Sequence, residues 1–162
     1  MVRKYKETDR EAIADFFAMI IRADKSYISH GEMQMGIATD RGTLSEDFRS
    51  RWLIYLDIQA NNPQTTIFIN EDKGKIAGFA IAGTTSDGFE EYGVIYDMGV
   101  DPSVRGKGFG KELMRNIMKM FADKNIKDCY LESGIHNDNA HNFFEKYDFE
   151  KVSYVFHSRL KK

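Results

Sequence analysis

Residues 97–113 read Asp-Met-Gly-Val-Asp-Pro-Ser-Val-Arg-Gly-Lys-Gly-Phe-Gly-Lys-Glu-Leu, and three physical signals follow one another along them. The apolar, β-branched run over 92–100 predicts a strand that passes through a sheet. Asp101-Pro102 ends it, because proline brings no N–H to a ladder. Glycines then stand at 106, 108 and 110, and Leu113, Met114, Ile117, Met120 and Phe121 recur at helical spacing. Strand, glycine-rich turn and helix in that order suit anion binding. The first N–H groups of a helix lack internal partners and carry the positive end of its dipole. Glycine lets a phosphate approach the backbone closely. Arg105, Lys107 and Lys111 add full positive charge. A bare structural turn gains nothing from three glycines, each of which costs up to about 1 kcal/mol against alanine inside a helix start.

Two common phosphate loops are excluded by spacing. The dinucleotide fingerprint needs G-x-G-x-x-G, whereas this chain has G-x-G-x-G; the P-loop needs Ser or Thr after its lysine, and Lys111 is followed by Glu112. The stretch does match Arg-x-x-Gly-x-Gly at Arg105, Gly108 and Gly110, behind a strand ending Val100-Asp101-Pro102.

Upstream, residues 2–6 read as a short strand. A helix follows with Ile13, Phe16, Phe17, Ile20 and Ile21 on one face, opened by a Thr8/Glu11 capping box. Residues 24–42 are broken by Gly31, Gly36 and Gly42 and predict a loop or short helix. Thr43 and Glu46 suggest a second capping box ahead of a helix carrying Phe48, Trp52, Tyr55 and Leu56. Strands over 65–70 and 76–82 flank an Asp-Lys-Gly turn as a hairpin and lead into the central strand as an antiparallel meander. Downstream of the glycine loop, the helix to about 124 is followed by a strand over 127–133, which a right-handed crossover makes parallel to 92–100. A short helix over 139–147 comes next. Alternating Val152, Tyr154 and Phe156 predict one or two closing strands over 149–160. The class is α+β.

Residues 130–149 carry a second signature, with Asn137, Ala140, Phe144, Glu145, Lys146 and Phe149 in Asn-x-x-Ala and aromatic-Glu-Lys settings. Together with the glycine loop, in this order of elements, the chain resembles the GNAT superfamily of N-acetyltransferases over nearly its whole length. The resemblance implies one domain over 1–162 with a mixed, mostly antiparallel sheet of six to seven strands, about four helices and a splayed parallel strand pair. It implies acetyl-CoA as cosubstrate. Val100 would contact the pantetheine amides, the Met98 N–H would polarise the thioester carbonyl, and Arg105, Gly106, Lys107, Gly108, Gly110 and Lys111 would hold the pyrophosphate. Asn137 and Phe144 would line the pantetheine arm. The superfamily often has a tyrosine, credited with protonating the leaving thiolate, where this chain has Phe144. Asp148 replaces the glycine that usually precedes the final aromatic.

The implied reaction is direct attack of a primary amine on the thioester in a ternary complex. An alkylammonium of pKa about 10.4 must first lose a proton, and two carboxylates are placed to assist. These are Asp97 on the central strand and Glu132 at the end of its parallel neighbour, with the choice of base open. Tyr147, one turn beyond Phe144, is an alternative acid or a core residue. Tyr27, His30 and Glu32 come from the region that shapes the acceptor site in this superfamily. The acceptor itself, a small molecule or a protein amine, is not encoded legibly, and the chain admits a homodimer.

Composition sets the bounds. The chain has 162 residues, a net charge of −2 and one cysteine. That combination disfavours nucleic acid as a partner, excludes an internal disulfide and suits a reducing, cytoplasmic setting. No apolar run approaches membrane-spanning length, and no His/Cys/carboxylate cluster has metal-ligand spacing, so neither membrane nor metal is expected. The competing class is a binding module, an acyl-CoA sensor or interaction protein on the same fold with little turnover. Phe144 favours it, because a missing acid slows thiolate departure.

Overall fold

The computed structural model describes residues 1–39 and 41–160. Five strands form one sheet in sequence order: β1 (Val2–Lys4), β2 (Thr65–Asp72), β3 (Lys75–Ser86), β4 (Glu91–Val100) and β5 (Cys129–Leu131). The first four are antiparallel, and β4 and β5 are parallel. The helices are α1 (Arg10–Ala23), α2 (His30–Gln34), α3 (Phe48–Asn61), α4 (Phe109–Asp123) and α5 (Asp138–Glu145). Among the described residues no helix is long and apolar enough to cross a membrane.

Side chains alternate across a strand, so β3 feeds two cores. Phe79 and Ile81 join Ile13, Phe17, Ile20, Trp52 and Leu56 on the α1/α3 face. Trp52 stacks on Phe17 at 4.7 Å between centroids and meets Phe79 edge-on at 6.0 Å. Ala80 and Ala82 face the other way, toward Leu113, Met114, Ile117 and Phe121 of α4. The α1/α3 core takes the large rings, and the α4 core is fitted against small alanines.

One irregularity in this alternation positions the site. Ala82 pairs with Ile95, and Ile81 pairs with Asp97, so Tyr96 is an extra residue in β4. Such a bulge moves every later side chain to the opposite face. Ile95 lies in the α4 core, yet Asp97, two residues on, lies opposite Ile81 on the α1/α3 face.

Two sequence expectations change here. The sheet has five strands rather than six or seven, because residues 150–160 are exposed and lie outside any strand; their alternation supplies a strand pattern, but a strand also needs an edge to pair with. The helix starts differ as well. Asp9 takes the Lys6 N–H ahead of α1, and α3 begins after Asp47. The Ser-x-x-Glu box that forms is Ser29/Glu32, at α2.

Candidate active site

Parallel pairing between β4 and β5 covers only Gly93–Cys129, Val94–Tyr130 and Ile95–Leu131. It stops where the bulge begins. From Tyr96 to Val100 the outer edge of β4 runs along a cleft of about 820 Å³, in the size range of small-molecule sites.

At one end of the cleft is the glycine loop. Gly106 (φ +79°) and Gly108 (φ +94°) occupy left-handed backbone, and a Cβ on either would project into open space. Gly108 is the N-cap of α4. Among the described residues the N–H groups of Gly106, Gly108, Phe109, Gly110 and Lys111 have no hydrogen-bond partner, while those of Arg105 and Lys107 turn back onto the Pro102 and Val104 carbonyls. The first turn of α4 is fixed from behind. Buried Asn70 donates Nδ2 to the Phe109 carbonyl at 3.1 Å and to Glu112 at 3.0 Å. A cradle of free amides on a helix start, cleared of side chains by two glycines, suits a diphosphate.

At the other end three carboxylates converge. The Tyr27 hydroxyl donates to Asp97 and lies 2.8 Å from the Met98 carbonyl oxygen. Asp97 shows part of its surface to the cleft but is closely surrounded by protein. Burial, reinforced by nearby Glu32, pushes it up to about 7, against the hydrogen bond from Tyr27 and the neighbouring Met98 N–H. Tyr27 is itself held well above an ordinary phenol by burial and by Asp97, so it stays a donor. Gly99 makes this contact achievable, because a Cβ there would lie 2.5 Å from Ile20 and 3.2 Å from the Tyr27 oxygen. Glu132 sits past the end of β5, with Oε2 2.5 Å from His30 Nδ1. Burial raises its pKa and His30 opposes the rise. Glu32 accepts from the Ser29 N–H and Oγ at 2.7 and 2.8 Å. Short α2 is thus fixed over the cleft at its N-terminal turn, by the Ser29/Glu32 capping box and by the His30–Glu132 pair.

Of the residues expected at the coenzyme, Met98, Val100, Arg105, Gly106, Gly108, Gly110, Lys111, Asn137 and Phe144 line this cleft, and Lys107 does not. Asn137 caps α5, its Oδ1 accepting from the Ala140 N–H at 3.2 Å, which leaves its amide N–H groups for the cleft. Phe144 meets Phe143 and Phe149 edge-on at 5.4 and 5.9 Å and carries no proton to give. Tyr147 packs against Phe143 and lines the same cleft. Tyr96, the bulge residue, also lines it, and burial raises its phenol. Sequence reasoning missed Tyr96, since nothing local marks a bulge. His141 is structural, its Nε2 3.0 Å from the Gly134 carbonyl oxygen. Among the described residues no group of three or more His, Cys, Asp or Glu side chains is arranged to hold a metal ion.

The acetyltransferase (GNAT) family model matches residues 35–149, more than half of the chain and the whole of the strand, glycine loop and helix described above. The chain belongs to the GNAT acetyltransferase family. No curated protein sequence matches it. Solved structures share its fold at low identity. A protein from Bacillus halodurans C-125 described as a transcriptional regulator is 14% identical, with a TM-score of 0.71 and 99% of each chain covered. The aminoglycoside N-acetyltransferase AAC(6')-Iy, solved with CoA, is 15% identical at a TM-score of 0.70, covering 100% of this chain and 95% of that one. The aminoglycoside acetyltransferase meta-AAC0020, from an uncultured soil metagenomic sample and solved with sisomicin, is 18% identical at a TM-score of 0.64, covering 99% and 96%. In this GNAT chain the cleft between the diverging parallel strands is therefore the candidate active site.

Proposed function

We propose that the chain transfers an acetyl group from acetyl-CoA to a primary amine by direct attack in a ternary complex. The observation that carries this reading is the set of unpartnered amides at Gly106 and 108–111, opening onto the same cleft that Asp97 floors. Acetyl-CoA would supply the acyl group as a thioester. The glycine-loop amides and Lys111 would hold its diphosphate, and the free edge of β4 at Val100 would hydrogen-bond the pantetheine amides as an added strand does. The Met98 N–H would be the donor at the acyl oxygen, a contact typically worth about 10²–10³ in rate; it lies beside the Asp97 carboxylate, so base and oxyanion donor share one corner.

The carboxylates fit the acceptor side. Glu32, Asp97 and Glu132 give that end of the cleft negative charge, which favours a cationic amine. An amine must shed its proton before attack, and Asp97, raised to about 7, is poised as a base near neutral pH. Glu132, bridged to His30, is placed to orient the ammonium or relay the proton. Tyr147, just past the end of α5, brings a hydroxyl to the cleft three residues beyond Phe144, which offers none. Both a small molecule and a protein amine meet these requirements.

A second reading, an acyl-CoA-binding module with little turnover, is favoured by Phe144 alone. The deciding experiment is release of free CoA thiol from acetyl-CoA in the presence of a panel of primary amines. Amine-dependent release supports the transferase, and tight acetyl-CoA binding without release supports the module.

A further inference from the structure

The Trp52 indole N–H is buried and has no hydrogen-bond partner among the described residues, and the side chain as a whole is 1% exposed. A buried indole usually finds an acceptor, because a donor cut off from water and left unpaired is costly. The ring itself is firmly held. Besides its stack on Phe17 and its edge-on contact with Phe79, it meets Tyr55, one turn on in α3, at 6.5 Å between centroids.

Those neighbours place it under the base. Phe17 touches both Trp52 and Tyr27, the ring whose hydroxyl donates to Asp97. Phe79 pairs with Gly99 and Ile81 with Asp97, and both belong to the same core cluster as Trp52. The indole thus lies beneath residues 97–99, on the face to which the bulge turns the Asp97 carboxylate. Burial and Glu32 disfavour the Asp97 anion; the Tyr27 hydroxyl, the Met98 N–H and then the Trp52 N–H favour it. Of the other titratable groups at this end of the cleft, Glu32 comes from α2, Tyr55 from α3, Tyr96 from β4 and Glu132, paired to His30, from past β5. α1 and β3 bring the apolar Phe17, Ile20, Phe79 and Ile81 to the same corner.

We infer that Trp52 is a positioning residue for Asp97, its indole N–H a reserve donor that closes onto the carboxylate when it is ionised and lets go when it is protonated. The inference deepens the reading of Asp97 as the base and rests on it. The two donors at this carboxylate differ in kind. A phenol hydroxyl both donates and accepts, and Tyr27 has a second acceptor in the Met98 carbonyl oxygen at 2.8 Å, so it can serve either form of Asp97. An indole N–H only donates, so it serves the anion. When Asp97 takes a proton from the acceptor's ammonium, the nitrogen keeps its electron pair for the thioester and the indole loses its anion. Trp52 therefore holds the carboxylate ready for one proton without binding to the acid that results.

Trp52 is the one tryptophan in the sequence, so its emission reports on this pair alone. The test is a fluorescence titration of the free, full chain from about pH 4 to about pH 9, with tyrosine left unexcited. The expected wild-type profile has an inflection near the Asp97 value of about 7. Asp97→Asn should abolish it, and His30→Gln, the control for the nearby imidazole, should leave it. Trp52→Phe keeps a ring and removes the donor. Its acid limb in kcat/KM should move up by about half a unit, lowering activity about threefold near pH 6 and little near pH 9; a purely packing role would lower it by one factor at every pH. Where Trp52→Phe fails to fold, the wild-type and Asp97→Asn titrations decide. A flat wild-type emission, an inflection that survives Asp97→Asn, or an unmoved limb in folded Trp52→Phe would each overturn the inference. An Asp97-dependent inflection without amine-dependent CoA release would instead keep the Trp52–Asp97 pair and reject the transferase reading.

Discussion

The Tyr27 hydroxyl donates to the Asp97 carboxylate across 70 positions of sequence. With the 2.8 Å approach of the same hydroxyl to the Met98 carbonyl oxygen, that bond ties the loop after α1 to the floor of the cleft. It favours the carboxylate anion, opposing the burial that favours the acid. Tyr27→Phe removes the donor while keeping the ring in its edge-on contact with Phe17. The Asp97 pKa should then rise further, moving the acid limb of the kcat/KM profile to higher pH by about one unit and lowering activity near pH 7 about fivefold. An unmoved limb would separate Asp97 from the proton transfer.

Asp97 should also make the protein less stable as pH rises. Its pKa is about 7 in the folded chain against 3.8 for the ordinary group. Between those values the folded chain keeps a proton that the unfolded chain has released, so stability falls as pH climbs through this window and levels off above it. Asp97→Asn removes that slope. At pH 8 the variant should be more stable by up to about 4 kcal/mol, with kcat/KM down roughly 10²-fold or more. Thermal melts from pH 4 to about 8, run beside the amine assay, check both parts.

Gly108→Glu tests the anion cradle. The position has φ +94° and open space at Cβ, so the backbone strain of about 1–2 kcal/mol should leave the protein folded while a carboxylate enters the cradle. Acetyl-CoA affinity measured by calorimetry should fall at least about 100-fold. Retained affinity would remove the loop from the coenzyme site.

Gly134→Ala tests how the cleft is closed. A Cβ there would lie 2.3 Å from the Ser26 carbonyl oxygen and 2.7 Å from that of Ile28. Backbone must move to admit it, at a cost of about 1–3 kcal/mol. The movement would separate His30 from Glu132, so KM for the amine should rise while acetyl-CoA binding changes little. Denaturant unfolding and paired KM measurements read the two effects.

Much of this was legible from local chemistry. The hairpin turn is written in Lys73 and Gly74, both at positive φ, and the glycine loop in its spacing. The meander and the parallel crossover follow from periodicity and helix length. The site was legible only where one segment carried it whole. Asp97 could be named, but the face it occupies depends on the bulge at Tyr96, which involves two strands and leaves no mark in either. Tyr27, His30 and Glu32 were weak candidates, because a glycine-broken loop does not announce what it will cover. The closing strands failed for a related reason: alternation at Val152, Tyr154 and Phe156 specifies a strand's two faces and says nothing about which edge receives it.

The extra residue in β4 links both halves of the chemistry. Pairing Tyr96 in register with Ile81 would restore a regular ladder and turn Asp97 through Val100 over together, sending the carboxylate opposite Ala80 among the α4 side chains and Met98 opposite Phe79 on the α1/α3 face. Base placement and coenzyme wall are thus geared to one another, and a descendant of this sequence seeking a different acceptor would find it easier to remodel the overhanging α2 segment than to re-index the strand beneath it.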